Sequence, residues 1–306
     1  MVNEKVDRTR VRFDSGGVEL VGYLHRSSDT AGKLPCVVMG HGFSGTQDRL
    51  FDAAERFAGA GFAALTFDYR SFGESGGEPR QVVDVKKQQE DWRAAIRFAR
   101  GLEEVDPERI ALWGSSLGGG HVVSIAAEDP RIAAVVAQIP FNGFPRRVEG
   151  RSTLETLKLL WAMIVDAARG RLGISPRYIP MVGKPGEVAV TATPRANEHI
   201  AALEGERGGS SWRNEVAPRG LFGMMRYRPG EVAHRLAMPL LVSIAEDDRE
   251  GPEELTRQLA ERAPRGELRR YPGDHFDFYR DPVRRRVLAD QIEFLRTHLA
   301  VARNHA

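Results

Sequence analysis

Short apolar runs alternate along the chain with polar segments that carry a helical spacing. Pro35–Met39 (PCVVM), Phe62–Phe67, Arg109–Trp113, Ile132–Ile139, Pro239–Ile244 and Glu267–Tyr271 have the length and bulk of buried strands. Gln47–Ala60 places Leu50, Ala53, Ala54, Phe57 and Ala58 on one side of a helix that stops at Gly61. Val82–Arg100 does the same with Val82, Val85, Gln89, Trp92, Ile96 and Ala99. Leu117–Ala127, Pro252–Arg262 and Val283–Leu299 complete the helical set, and Val18–Arg26 alternates as an exposed edge strand would. Strands that alternate with helices of this length predict βαβ crossovers. The fold class is therefore α/β, a mostly parallel central sheet with helices on both faces.

The rhythm stops after Pro140 and resumes at Pro239. Between them the one strong pattern is Ser152–Arg169, where Leu154, Leu157, Leu160, Trp161, Ile164 and Val165 form a broad apolar face. The rest of that stretch is irregular. Residues 1–142 and 236–306 are thus expected to form the core, with 143–235 inserted as a cap.

Composition narrows the function classes. Lys and Arg total 44 against 42 Asp and Glu, and a formal charge of +2 supplies no field for nucleic acid or an anionic membrane. The one cysteine, Cys36, excludes an internal disulfide and a thiol-rich metal site. No run approaches the ~18 apolar residues of a membrane span. Met1–Arg12 has no apolar stretch of the kind a secretory signal needs, so a cytoplasmic protein is expected. No phosphate loop, dinucleotide fingerprint or zinc-binding HExxH helix occurs, and neither a cofactor nor a metal is implied.

Three segments carry chemistry. Gly114-Ser115-Ser116-Leu117-Gly118 is a G-x-S-x-G string directly after an expected strand and at the start of a helix. A serine on such a strained turn projects its hydroxyl above the carboxyl edge of the sheet, which makes Ser116 the nucleophile and Ser115 a spacer. The Leu117 N–H at the helix start points to where an oxyanion forms. His41-Gly42-Phe43 follows another strand, and its sharp turn offers the Phe43 N–H as a second donor; His41 reads as a brace for this loop. Late in the chain, Glu246-Asp247-Asp248 closes one strand and Asp274-His275-Phe276 follows the last. A buried carboxylate must hold the tautomer of a neutral imidazole, and the order Ser116, Asp248, His275 suits that task. Asp247 is the competing acid.

The segments HGFSG, FDYRSFGESGG, GSSLGGG, PLLVSIAEDD and YPGDHFDFY together resemble the ordered landmarks of the α/β-hydrolase superfamily. The chain is similar to bacterial dienelactone-hydrolase-like and X-Pro peptidase (S15)-like members and to capped serine hydrolases. It carries serine where true dienelactone hydrolases carry cysteine, so that resemblance is one of fold. It implies Ser116 as nucleophile, His275 as base, Asp248 as third member, donors at Phe43 and Leu117, and a buttress at Asp68, Gly73 and Ser75. An inserted lid makes Phe141, Asn142, Trp161, Met163, Trp212, Met224, Met225, Phe43 and Phe276 candidates for the pocket wall, and Arg146, Arg147 and Arg213 candidates for its rim. The expected activity is a cofactor-independent serine esterase acting on a small acyl substrate. A redirected acyltransferase or C–C lyase, or a non-catalytic ligand-binding protein, are the alternatives. Nucleic acid and membrane are not expected partners; a homodimer is possible.

Overall fold

Side chains alternate between the two faces of a strand, so each apolar run serves two cores at once. The computed structural model describes residues 5–28, 32–144, 152–184, 186–205 and 211–299. Its strands are β1 (Val6–Asp14), β2 (Glu19–Ser27), β3 (Leu34–Gly40), β4 (Ala63–Phe67), β5 (Val105–Ser115), β6 (Ile132–Gln138), β7 (Leu240–Ala245) and β8 (Gly266–Tyr271). They form one sheet in the order β1-β2-β4-β3-β5-β6-β7-β8. Neighbours from β4 to β8 pair in parallel, whereas β2 pairs antiparallel with both β1 and β4. The helices are α1 (Phe51–Gly59), α2 (Val85–Arg100), α3 (Leu117–Ala126), α4 (Thr153–Arg171), α5 (Pro194–Gly205), α6 (Leu221–Met225), α7 (Glu253–Arg262) and α8 (Val283–Leu299).

In β3, Cys36 and Val38 enter one core cluster while Val37 and Met39 enter the other. β5 repeats the division with Ile110 and Leu112 against Ala111 and Trp113. Residues of α2, α3 and α7 close the first cluster, and residues of α1 and α8 close the second. Cys36 is fully buried and its thiol is pushed up to about 12 by burial, so it packs and does not react. No described helix is long and apolar enough to cross a membrane.

Two expectations need correction. Val18–Arg26 is not the edge: β2 lies between β1 and β4, and β1 takes the edge. The charges of VDRTRVRFD project from an exposed strand, where they discourage pairing with another chain. The broad apolar face of α4 is also not buried as expected. Leu159, Met163 and Asp166 turn inward, while Leu154, Leu157, Leu160, Trp161 and Ile164 stay exposed.

The 143–235 stretch shares the main core. Leu159, Met163, Ile179, Val216, Leu221 and Met224 all join the cluster that contains Trp92 and Leu112. The buried Asp166 carboxylate accepts from the backbone N–H of Arg177 at 2.8 Å and of Arg219 at 3.2 Å, fastening two later segments to α4. Short-range patterning did not reveal α5 or α6.

Candidate active site

The carboxyl ends of the parallel strands share one edge, where three loops meet. β5 runs through Gly114 and Ser115 into Ser116, whose φ of 54° and ψ of −117° lie where side chains are rarely tolerated. The flanking glycines permit that turn. A Cβ on Gly114 would strike the Gly118 carbonyl, and one on Gly118 would lie 2.6 Å from the carbonyl oxygens of Gly40 and His41. The Ser116 N–H donates to the Gln138 carbonyl at 2.9 Å, and its own carbonyl accepts from Phe141 at 2.8 Å. The elbow is thereby stitched to the end of β6.

Asp248 and His275 follow β7 and β8. His275 Nδ1 and Asp248 Oδ2 are 2.8 Å apart, and both residues are buried. The other carboxylate oxygen of Asp248 accepts from the N–H groups of Glu250 at 2.9 Å and Gly251 at 2.7 Å. Asp247 is exposed and its N–H donates to the Gly273 carbonyl, so the turn is capped by Asp248 itself and not by Asp247. Burial alone would lower the His275 pKa. The Asp248 charge and hydrogen bond, supported by Glu250 and Asp274, outweigh it, and the net direction is upward. With Nδ1 committed to Asp248, Nε2 is the ring nitrogen left for a hydroxyl.

Leu117 opens α3, where the first N–H groups have no acceptor within the helix. Phe43 sits on the tight turn after β3, closed by the Gly45 N–H donating to the Gly42 carbonyl at 3.2 Å. A Cβ on Gly42 would come within 3.0 Å of the Ser116 Cβ, so this loop lies against the elbow. His41 is buried, its Nδ1 is 3.0 Å from the Gly42 carbonyl oxygen, and burial pulls its pKa to about 4. That arrangement braces a turn. Asp68 accepts from the Gln47 and Glu74 N–H groups, and Ser75 Oγ bridges the Asp68 carbonyl and the Val21 N–H. A Cβ on Gly73 would collide with the Asp68 carboxylate.

The substrate-wall residues divide. Phe276 joins Val182, Ala196 and Ile200 in an apolar cluster against which Trp212 packs, beside His275. Trp161 is 66% exposed on α4 and is not among the described residues that wall the cavity beside His275. The Asn142 amide donates to the Leu255 carbonyl and accepts from the Gly230 N–H, each at 2.7 Å. Phe141 packs on Phe144 and Tyr227 in the main core. Met163 and Met224 are buried in that core and Met225 is exposed. Arg213 pairs with Glu215 at the surface, whereas Arg146 and Arg147 lie outside the described residues.

A cavity of about 790 Å³ lies between the start of α5 and the two late loops, walled by Thr193, Arg195, Asp247, Glu250, His275 and Phe276 among others. Its wall includes His275 but not Ser116, so the geometry of the elbow and of the acid–histidine pair defines the site, not this cavity. The stretch before α5 is tied to the acid loop by Thr191 and Thr193, whose hydroxyls donate to the Glu250 carboxylate. On α5 itself, Arg195 pairs with Asp274 and the His199 ring stacks on Phe276 with centroids 4.9 Å apart.

Sequence reasoning missed one set of residues. Ser115, read as a spacer, places its hydroxyl 2.9 Å from that of Tyr279. Gln138 donates to Ser115, Gln291 to Gln138, and Trp113 to Gln291. This buried chain of side chains ties the elbow to the histidine loop. Its members are scattered from 113 to 291, and no local pattern joins them.

The chain is similar to known proteins in sequence and in fold. The family described as serine aminopeptidase, S33, matches residues 33–282. The quorum-quenching protein AidA of Acinetobacter baumannii is 40% identical over 288 residues, covering 94% of this chain and 93% of that protein. The polyketide transferase grgF of Penicillium sp. is 31% identical over 206 residues, 67% of each chain. The crystal structure of the α/β hydrolase GrgF from Penicillium sp. sh18 superposes with a TM-score of 0.80 at 27% identity, covering 96% of this chain and 100% of that one. The sheet order, the strand-to-helix serine turn and these matches agree: the chain belongs to the serine aminopeptidase S33 family of α/β-hydrolases.

Proposed function

We propose that the protein is a serine hydrolase that cleaves an ester or related acyl bond of a small, largely apolar substrate through an acyl-enzyme. The 2.8 Å contact between Asp248 and His275, on the same sheet edge as the strained Ser116 turn, carries this reading. His275 Nε2 takes the Ser116 proton as Oγ attacks the carbonyl carbon. The Phe43 and Leu117 N–H groups hold the resulting oxyanion, each contributing roughly 3 kcal/mol. The imidazolium, stabilised by Asp248, protonates the leaving group, and water then repeats the sequence on the acyl-enzyme. Trp212 and Phe276 supply apolar surface beside the base.

Labelling by a fluorophosphonate tests the nucleophile. Wild type should label and Ser116→Ala should not. A wild type that fails to label favours the non-catalytic ligand-binding alternative. A screen of esters, amides and lactones would then define the bond. The similarity to a quorum-quenching protein extends that screen to quorum signals.

Acyl transfer is the second reading, favoured by the likeness to a polyketide transferase. Both share the acyl-enzyme and differ in what removes the acyl group. Adding alcohol or thiol acceptors to a turning-over reaction separates them: acylated acceptor in place of free acid indicates transfer.

A further inference from the structure

The side of α4 turned away from the core is apolar and uncovered. Leu159, Met163 and Asp166 face inward at 8%, 4% and 0% exposure. On the other side Leu154, Leu157, Leu160, Trp161 and Ile164 are between 38% and 66% exposed. A helix that is apolar on both sides belongs between two packing surfaces, and the fold supplies one. Contiguous apolar patches of this kind on soluble proteins mark interaction sites.

The spacing of the exposed residues identifies the kind of surface. Leu154, Leu157, Trp161 and Ile164 follow intervals of three, four and three, continued by Ala168, as in the seam of a two-helix coiled coil. On that frame the inward-facing residues at 159 and 166 fall opposite the seam, and among the described residues the seam's large side chains stay exposed. The segments outside the described residues (1–4, 29–31, 145–151, 185, 206–210 and 300–306) are polar, charged or small, with a few valines and one methionine. They hold no row of large side chains to match this one.

We infer that α4 pairs antiparallel with α4 of a second copy of this chain, forming a two-fold symmetric dimer through the cap. With the two-fold axis at residue 159, Leu154 meets Ile164 and Leu157 meets Trp161 of the opposite helix, each twice. Antiparallel pairing sets unlike helix-dipole ends toward each other, whereas parallel pairing stacks like on like. The five side chains present on the order of 500 Å² per protomer, the larger part of the ~800 Å² a standard interface uses per partner. A lipid surface would call for a basic rim along the stripe, and the helix has only Lys158 there before its final turn.

Sedimentation velocity of the full chain, from about 1 to 100 µM, tests the pairing. Wild type should sediment as a dimer in the upper part of this range. Leu157→Glu and Ile164→Glu, made separately, should raise the dissociation constant at least about tenfold. Their far-UV circular dichroism and ester turnover should be unchanged. Leu157→Gln, a milder polar change, should weaken the dimer without a buried charge and guards against a folding artefact. A wild type that stays monomeric throughout, or a dimer that survives all three substitutions, would overturn the inference.

Discussion

At the residue scale, the turn after β7 supports Asp248 over Asp247 as the acid of the proposed triad. Asp248 spends one oxygen on the Glu250 and Gly251 N–H groups and the other on His275, so its side chain is locked, while its neighbour Asp247 points to solvent. Asp248→Asn should lower kcat by roughly 10²–10⁴ because the amide no longer enforces the tautomer, whereas Asp247→Asn should change it by less than about threefold. Steady-state kinetics on any ester the enzyme accepts decides this, and the reverse order of effects would transfer the role to Asp247. The charge at Asp248 also sets a pH dependence. It raises the His275 pKa above the ordinary 6.5, and the base works only when neutral. The rate should therefore fall as pH drops through a midpoint above 6.5, and Asp248→Asn should move that midpoint downward. A wild-type acid limb below 6.5 would contradict the geometry. Ser116 was legible as a candidate from its glycines between an expected strand and helix, because the close approaches at Gly114 and Gly118 exclude any side chain. The choice between two adjacent aspartates was not, since it depends on which one the turn points inward.

At the element scale, the nucleophile turn and the histidine loop are joined by the Ser115–Tyr279 hydrogen bond. It lies one residue before the nucleophile and four after the base, so it limits how far the two loops separate. Tyr279→Phe should cost about 1 kcal/mol of stability and lower kcat several-fold with little change in KM. Ser115→Ala should do the same, and the double variant should be no worse than either single one. Additive effects in that double-mutant cycle would show the tether to be irrelevant to positioning. Elements of regular period were readable: β3, β5, β6, β7, α2, α3 and α8 appear within a few residues of their expected limits. β1 and α5 were not. The charges of β1 hide its period of two, and α5 is held by its contacts with Phe276 more than by an apolar stripe of its own.

At the scale of the whole molecule, buried histidines couple stability to acid. His41 is held near 4 and His121 near 3 by burial, with the buried His25 and the half-buried His199 also near 4. The unfolded chain takes up these protons near 6.5 and the folded one does not, so stability is full above 6.5 and is lost as pH falls toward 4. Asp68 opposes this. Burial raises its pKa to about 6, so its contribution is present at low pH and lost as pH rises from 4 to 6. Five lowered histidines, His298 among them, outnumber the raised carboxyls of Asp68 and Asp91 and the raised His275, and each proton is worth about 1.4 kcal/mol per pH unit. The melting temperature should drop by several degrees between pH 7 and pH 5, and a flat calorimetric profile over that range would refute the balance.

The sequence by itself determined the α/β class, the family's landmark segments and Ser116 as candidate nucleophile, because these rest on local period and on the space around a single turn. Only the tertiary structure decided which carboxylate meets His275, what Asn142 and Phe141 contact, and which side of α4 is covered. Each of those depends on what lies opposite a side chain, and the opposing residues come from distant parts of the chain. α4 shows the difference most directly. Its leucines and Trp161 announced an apolar helix in one dimension, and only the sheet and helices beneath it determined that Leu159 and Met163 would be buried while the rest of the stripe faces outward.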